Sequence, residues 1–191
     1  MGRMIKWIAI LLAGTVLGFG SAVLAVRHTG GTGALQVGPW GTPLDGGGRG
    51  RGIYERAAVA VSATLALSRQ EAIYFRAATD SQGARLDGNC TYIVHGPDLP
   101  ARWWSVTLYG ADHYLIANPQ RRYSYASANV ARGPDGGFAI AVGPDPQPGN
   151  WLNSVRTPQL VLLARLYQPR PEAAANPAAI KLPSIDRGAC S

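Results

Sequence analysis

The side chains that could supply a general base in this sequence are few and lie far apart. Outside the N-terminal segment the histidines are His95 and His113, and each stands beside turn-forming residues. A serine hydrolase needs its nucleophile on a sharp turn beside a histidine and an acid, whereas Ser105 lies within a predicted strand. We therefore predict no catalytic residues. The alternative is a hydrolase whose pocket forms near Asn118, Arg121 and His113.

The sequence also lacks the motifs that hold metals and cofactors. Asp112 and His113 are adjacent, so on an extended strand they point to opposite faces and do not form a ligand pair. No phosphate-binding loop or dinucleotide fingerprint is present, because the glycines at 46–52 belong to a low-complexity stretch. We therefore predict neither a metal site nor a cofactor.

Aromatic and arginine side chains near predicted strand ends and turns form the best candidate for a recognition surface. Such side chains dominate the binding energy of many interfaces, and aromatic faces beside planar donors also suit glycans. The alternative is structural, because some of these rings must fill the core and the asparagines would then only fix turns. The predicted ligand- or partner-binding residues are Arg102, Trp103, Tyr109, Asn118, Arg121, Tyr123, Asn150 and Trp151.

The net charge of the chain is +7, and arginine outnumbers lysine sixteen to two. A basic surface can face anionic lipid or nucleic acid. The arginines are scattered, however, and pairs such as Arg121 and Arg122 are isolated. We therefore expect a basic domain lying near anionic lipid headgroups, and no nucleic-acid partner.

An N-terminal apolar segment determines the compartment in which the rest of the chain lies. Trp7 to Val26 contains no charged residue, and about 20 such residues form a helix long enough to cross a bilayer. Arg3 and Lys6 precede the segment, which favours a cytoplasmic N-terminus. The sequence thus predicts a bacterial inner-membrane protein with a periplasmic main domain. A cleaved signal peptide, cut after Ala25, is the alternative, and it exports the same domain.

Gly14 and Gly18 form a G-x-x-x-G pair within that segment. Such a pair lets two membrane helices approach closely, so it predicts a homodimer. The alternative is that glycine is simply common in membrane helices.

The two cysteines, Cys90 and Cys190, belong to no C-x-x-C pair and have no histidine at zinc-ligand spacing. In an oxidising compartment two cysteines of one domain can pair. A bridge closing a loop of roughly 100 residues would stabilise the fold by about 4–5 kcal/mol. We expect a disulfide here, and the alternative is two unrelated thiols.

A helical segment is predicted between the anchor and the β-rich sequence. Its apolar spacing favours two short helices, at about 54–66 and 69–79. Ser68 and Glu71 have capping-box spacing at the start of the second helix. The predicted divisions are an anchor at 1–28, a glycine-rich flexible tether at 29–52, the helical segment at 53–80, a β-sandwich domain at 81–186 and a tail at 187–191.

Short β-branched and aromatic runs follow this segment. They are Thr91–His95, Trp103–Tyr109, Phe138–Val142 and Leu160–Tyr167, and Gly-, Pro- and Asp-rich turns separate them. Alternation of apolar and polar residues in the second run indicates one buried and one wetter face. Short strands at this spacing are typical of an antiparallel β-sandwich, so the fold class is mainly β.

Five motifs in order along the chain resemble the bacterial "domain of unknown function 1214" family. Arg102–Tyr109 resembles its W-S-x-T-x-Y strand, and Asn118–Ser124 its N-x-x-x-R-Y-S turn. Asp135–Ile140 resembles a D-G-S-x-x-I hairpin, while Asn150–Leu152 and Arg165–Pro169 resemble the closing N-W-L and R-x-Y-x-P elements. The resemblance runs from about residue 66 to 185. It implies a compact, jelly-roll-like β-sandwich and carries no activity with it.

These observations predict a membrane-tethered envelope domain that is not an enzyme. Its expected role is binding or assembly of a partner protein or an envelope glycan.

Overall fold

A computed structural model of the chain describes residues 2–29, 34–43, 52–53, 57 and 67–190. The chain divides into two units, of which the first comprises residues 1–33 and 47–66, and the second residues 34–46 and 67–191. Every described strand belongs to the second unit.

Helix α1 spans Gly2–Thr29 in the first unit. Its segment Gly2–Val26 is long and apolar enough to cross a membrane, and none of it is buried inside the protein. The hydroxyl of Thr15 donates to the Leu11 carbonyl (2.9 Å), so this polar group is satisfied within the helix itself. The predicted N-terminal apolar helix is therefore confirmed, although a signal sequence has the same length and composition.

The described strands, in chain order, have the following bounds. They are β1 (Ala34–Val37), β2 (Trp40–Pro43), β3 (Ala72–Ala77), β4 (Cys90–Gly96), β5 (Ala101–Gly110), β6 (Ser124–Ala126), β7 (Phe138–Gly143), β8 (Trp151–Asn153), β9 (Leu160–Pro169) and β10 (Ser184–Cys190). A short helix, α2 (Pro171–Ala175), and a 3-10 turn (Pro177–Ala179) lie between β9 and β10. The four runs predicted as strands correspond to β4, β5, β7 and β9.

The strands form two sheets. The larger has the order β1-β2-β3-β9-β5-β6, and the smaller has the order β10-β4-β7-β8. All described pairs are antiparallel except β7 and β8, which are parallel. The prediction of an antiparallel sandwich therefore holds for every described pair but this one. The mainly β, two-sheet fold class is confirmed.

One apolar core lies between the sheets. Phe75, Val106 and Leu162 of the larger sheet and Val94 and Ile185 of the smaller sheet belong to the same buried cluster. Each such side chain contributes about 1.5–3 kcal/mol through burial. Aromatic packing joins the two sheets directly, because the rings of one residue from each, Trp104 and Phe138, lie 4.6 Å apart.

The predicted helix at 69–79 is wrong, because residues 72–77 form strand β3. The capping contacts do form: the Glu71 carboxylate accepts from the Ser68 backbone N–H (3.0 Å) and hydroxyl (2.8 Å). They stabilise only one turn. Ile73 and Phe75 are then buried while Tyr74 and Arg76 face outward, and pairing with β9 and β2 outweighs local helix preference. The helix predicted at 54–66 lies outside the described residues.

The predicted tether at 29–52 is wrong for residues 34–43, which form the β1–β2 hairpin. Trp40 explains this, because its ring is fully buried in the core and its indole N–H donates to the Pro183 carbonyl (2.7 Å). Residues 30–33 and 44–51 lie outside the described residues. The predicted tail at 187–191 is also corrected, since β10 extends to Cys190 and pairs with β4.

Cys90 and Cys190 form a disulfide, as predicted. The two residues stand opposite each other in the β4–β10 pair and are 100 residues apart in sequence. The bond therefore fastens the edge strand β10 to the smaller sheet.

Candidate functional site

The outward face of the larger sheet carries most of the polar residues of two strand motifs. On β5, Trp104, Val106 and Leu108 point into the core, so by alternation Ser105 and Thr107 lie on the opposite face with Tyr109. Ser105 and Thr107 are nevertheless buried there, at 3% and 4% exposure. Outward positions of β9 hold Arg165 and Tyr167, and that of β3 holds Tyr74. We call five of these residues the tyrosine–arginine cluster: Tyr74, Thr107, Tyr109, Arg165 and Tyr167.

Strand pairing brings the cluster together. Arg165 stands opposite Tyr74 of β3 on one side and Ser105 of β5 on the other. Tyr167, two residues further along β9, stands opposite Trp103. Residues from three strands that are distant in sequence therefore share one patch of the sheet.

The Arg165 guanidinium is held in place by two hydroxyls. Its Nη1 donates to Thr107 Oγ1 (2.8 Å), its Nη2 donates to the Tyr109 hydroxyl (2.5 Å), and its Cζ lies 5.4 Å from the centre of the Tyr109 ring. Among the described residues no carboxylate forms an ion pair with it. Arg165 is thus a half-buried, fixed cation without an acidic partner in the described part of the chain.

Tyr74 places a second polar group in the cluster. Its hydroxyl is buried and has no hydrogen-bond partner within the described segments. Burial, together with the neighbouring Tyr167 hydroxyl, raises the pKa of Tyr74 to about 12. The phenol is therefore protonated at neutral pH, and its hydroxyl is closed to solvent.

Trp103 adds an exposed aromatic surface next to the cluster. Its side chain is 39% exposed and its ring centre lies 5.5 Å from that of Tyr167 at an angle of 51°. The Tyr167 ring in turn packs edge-to-face against Tyr74 at 6.3 Å. Arg102 is also exposed and donates to Gln168 Oε1 (3.0 Å). Of the predicted binding residues, Trp103 and Tyr109 therefore lie in or beside this patch, whereas Arg102, which precedes Trp103 on β5, lies on the opposite face of the sheet by alternation.

Asn118 fixes a turn. Its amide donates to the carbonyls of Ile116 (3.0 Å) and Arg122 (3.1 Å), and its Oδ1 accepts from the Arg122 N–H (3.2 Å). Arg121 is exposed in the same turn with a positive φ of 50°. In the described part of the chain no hydrogen bond joins Asn118 or Arg121 to His113, so nothing in this geometry supports the alternative hydrolase pocket. Tyr123 is half-buried, and its carbonyl accepts from Leu108.

Asn150 also acts within the fold. Its side chain is only 7% exposed and bonds the N–H and carbonyl of Ala131 (both 2.8 Å) and the carbonyl of Ala139 (2.9 Å). Trp151 is half-buried and its indole N–H donates to the Gly143 carbonyl (3.1 Å). These two predicted binding residues therefore stabilise the loops around β7 and β8.

His95, Ser184 and Asp186 meet on the outward face of the smaller sheet, a contact that the sequence analysis missed because it depends on the β4–β10 register. His95 Nε2 lies 2.7 Å from Asp186 Oδ2 and 2.8 Å from Ser184 Oγ. A catalytic relay needs the serine and the acid on different ring nitrogens. Here both contact the same nitrogen, so the three residues do not form a triad.

An open groove of about 1070 Å³ lies beside His95 and is lined in part by Asp98, Arg132 and Asp135. Asp98 Oδ1 accepts from the Trp104 indole N–H (2.7 Å) and from Arg132 (2.9 Å). The ion pair between Asp98 and Arg132 therefore stabilises the wall of the groove. No group of three or more potential metal ligands occurs among the described residues.

Four residues of the cluster were not predicted as site residues from the sequence: Tyr74, Thr107, Arg165 and Tyr167. Arg165 lies in the R-x-Y-x-P motif, two residues before Tyr167, and this two-residue spacing on a strand is the signal that both share a face. Tyr74 had been assigned to a helix, so its position opposite Arg165 could not be inferred.

Comparison with known proteins supports the fold. A crystal structure of the VPA0106 protein from Vibrio parahaemolyticus is similar, with a TM-score of 0.61 and 22% identity over 71% of this chain and 35% of that chain. An uncharacterized Burkholderia cenocepacia protein has a TM-score of 0.44 and 12% identity over 93% of this chain and 50% of that one. The chain thus spans half or less of each.

The sequence itself identifies the family. No functionally curated protein matches the chain. The family model described as "Protein of unknown function (DUF1214)" matches residues 71–171, just over half of the chain, and includes β3, β5 and β9 with the whole tyrosine–arginine cluster. The chain belongs to the DUF1214 family.

Proposed function

We propose that the chain is a membrane-tethered domain of the bacterial envelope that binds a partner protein or an envelope glycan through the tyrosine–arginine cluster and Trp103. The main support for binding is the environment of Arg165. The Arg165 guanidinium is half-buried and oriented by two hydroxyls, and no carboxylate among the described residues pairs with it, which favours an external anion or polar ligand. Trp103 adds the exposed aromatic area typical of binding sites.

The tethering proposal rests on α1 and on the disulfide. Arg3 and Lys6 at the start of α1 favour a cytoplasmic N-terminus and a periplasmic β domain in the inner membrane. The Cys90–Cys190 bond supports an oxidising compartment. Alkaline phosphatase fused after the domain should be active in cells, since it needs the periplasm to fold. Activity only of a cytoplasmic fluorescent fusion would contradict this orientation.

Retention of α1 is tested on the same cells. An N-terminal epitope should remain on the full-length chain in the membrane fraction, whereas cleavage after Ala25 would separate the epitope from the β domain.

Dimerisation through Gly14 and Gly18 stays a prediction. We expect Gly14→Ile to shift the chain from dimer to monomer in detergent, and an unchanged oligomeric state would remove this proposal.

Binding at the cluster is tested by site-specific crosslinking in cells. A photo-reactive phenylalanine derivative at the partly exposed position 103, on the same face of β5 as the cluster, should give a light-dependent adduct, and Arg165→Lys should weaken it. The matched control is the same photo-reactive group at Ala139, which is exposed on the smaller sheet. Equal adducts at the two positions, insensitive to Arg165→Lys, would contradict a binding role for this face.

A further inference from the structure

Two neighbouring loops carry the most exposed apolar side chains of the second unit, as far as the structure describes it. One loop joins β5 to β6 (residues 111–123) and the other joins β8 to β9 (residues 154–159). Tyr114 is 75% exposed, and Leu115 and Val155 are each nearly half exposed. Exposed apolar side chains that share one region of a surface are typical of interaction sites, whereas isolated ones need no explanation.

The two loops meet at the end of β5. Gly110, the last residue of that strand, donates its N–H to the Tyr114 carbonyl (3.0 Å) in the first loop. The same glycine adjoins the second loop, because a Cβ built on it would lie 3.9 Å from Cγ2 of Thr157. A side-chain hydrogen bond from Asn153 Nδ2 to Gln120 Oε1 (3.2 Å) joins them again. Both loops therefore belong to one end of the sandwich.

The backbone of both loops adopts conformations that are rare for residues other than glycine. Five described non-glycine residues have a positive φ, and four of them lie in these loops: His113, Arg121, Val155 and Arg156. Val155 is the least expected, because a β-branched residue is strained at its φ of 48°. Such strain persists only where surrounding contacts fix the backbone, and it occurs most often at functional sites. Here the strained turn leaves an apolar side chain at the surface.

Arginines accompany these apolar side chains. Arg121 and Arg122 are exposed, and no carboxylate of the described residues forms an ion pair with either. Arg156 is also exposed, and its Nη2 lies 3.7 Å from Asp145 Oδ1. The acid within the loops, Asp112, accepts from a backbone N–H of its own turn (3.0 Å). The loops therefore combine apolar side chains with an excess of positive charge, which complements anionic lipid headgroups.

We propose that these two loops dock on an anionic lipid bilayer, with Tyr114, Leu115 and Val155 in the headgroup region and the adjacent arginines of the first loop on the lipid phosphates. Tyrosine favours this region because its ring is apolar and its hydroxyl is polar. Guanidinium groups bind phosphate through several N–H donors at once. The inference rests on the proposed tethering by α1, since only four residues (30–33) separate α1 from β1 and a bilayer crossed by α1 would lie close to the domain.

The test uses the full chain reconstituted in vesicles with a fluorescent label at position 111. Ala111→Cys supplies a single free thiol, because the two native cysteines are joined in a disulfide, and it keeps all three apolar side chains. Nitroxide-labelled acyl chains should quench the label in vesicles of phosphatidylglycerol and phosphatidylethanolamine, and quench it less in phosphatidylcholine. The matched control is the same label at Ala139, which is exposed on the smaller sheet. Equal quenching at the two positions would overturn the inference.

Removal of charge assigns the docking to the first loop. Arg121→Gln together with Arg122→Gln should lower the ratio of quenched to unquenched label about thirtyfold, at about fivefold for each arginine near an anionic surface. The control removes two charges elsewhere, at the exposed Arg102 and Arg170, and should change the ratio by no more than about threefold. An equal response to the two pairs would show that only the overall charge matters and would refute docking by these loops.

Val155→Asn tests the apolar contribution while the loop conformation is kept. Asparagine adopts a positive φ more readily than valine, so the urea midpoint should stay at or above that of the parent chain. The ratio of quenched to unquenched label should fall about fivefold, because apolar area no longer enters the headgroup region. An unchanged ratio in a variant with the parent's stability would contradict the proposed contact of this loop with lipid.

Flotation of the same samples separates failure of this inference from failure of the proposed function. If the chain floats with the vesicles while the label at position 111 stays unquenched, docking is wrong and tethering stands. If the chain does not float, tethering and docking both fail, and the crosslink at position 103 still tests partner binding independently. A blue shift of the label that grows with protein concentration in detergent would identify a second copy of the chain as the occupant and overturn the lipid assignment.

Discussion

Replacing Asn150 should destabilise the β domain more than any other single asparagine discussed above. Asn150→Ala removes an acceptor for the Ala131 N–H and two donors, to the carbonyls of Ala131 and Ala139. The side chain is buried, so water does not readily replace it. Leaving a buried polar group unpaired costs about 1–3 kcal/mol, and partial relaxation of three such groups gives a loss of about 3 kcal/mol.

Urea unfolding of the full chain in detergent, followed by tryptophan fluorescence with the disulfide intact, measures this loss. With a slope of about 1–3 kcal/mol per molar urea, the midpoint should fall by roughly 1–3 M. The matched control is Asn153→Ala at the end of β8, the strand that follows Asn150, because the Asn153 side chain makes exposed contacts with Gln120 and Val155. The control should lose no more than about 1 kcal/mol. A loss for Asn150→Ala that is no larger than the control would refute this reasoning.

Asn150→Asp gives an independent readout of the same contacts. Its carboxylate can still accept from the Ala131 N–H, but the atom that replaces the amide nitrogen faces two carbonyl oxygens. Burial and this repulsion raise the folded-state pKa of the new carboxyl above its unfolded value of about 4. The penalty is therefore largest at neutral pH and shrinks as pH falls through the raised pKa. A stability of Asn150→Asp that follows the pH dependence of Asn150→Ala would contradict this.

Three further perturbations have definite expected outcomes. Replacing Cys90 and Cys190 together by alanine should cost about 4 kcal/mol in urea unfolding, and a reducing agent should then have no further effect, whereas continued sensitivity would contradict the disulfide. The two hydrogen bonds from Ser68 lower the pKa of Glu71. The stability that Glu71 contributes is therefore present above its pKa in the unfolded chain and is lost as pH falls through its pKa in the folded chain. NMR titration should show a Glu71 pKa below 4.5, and Ser68→Ala should return it toward 4.5. Gly88→Ala should cost about 1–3 kcal/mol in the same unfolding assay, because the added Cβ would lie 2.4 Å from a backbone carbonyl oxygen, and an unchanged midpoint would show that the loop shifts freely.

The sequence predicted the structure correctly where a local pattern of apolar residues determines it. Alternation along Trp104–Tyr109 correctly indicated which side chains enter the core, but the predicted wetter face is wrong, because Ser105 and Thr107 are buried as well. The apolar length of Trp7–Val26 likewise predicted α1. Pairing of Cys90 with Cys190 followed from their isolation in one domain.

The sequence failed where distant partners decided the structure. Ser68 and Glu71 make the local contacts of a helix start, yet the strand that follows is stabilised by β9, about ninety residues later in the chain. Trp40 stands among glycines, and only its pocket in the core explains the β1–β2 hairpin. For the site, Arg165 needs Thr107, Tyr109 and Tyr74 beside it, and no single stretch of sequence contains that arrangement.

The outermost strands also determine how the protein behaves when crowded. In the described sheets β1, β6 and β8 are only 4, 3 and 3 residues long, so they offer little unpaired backbone to a neighbouring molecule. The fourth edge, β10, is longer but carries Asp186 and Arg187 and an irregular register before the disulfide. Reduction of that bond would let β10 fray and uncover the apolar strand β4. The disulfide therefore protects against aggregation as well as unfolding, so reducing conditions should leave a protein that self-associates through β4.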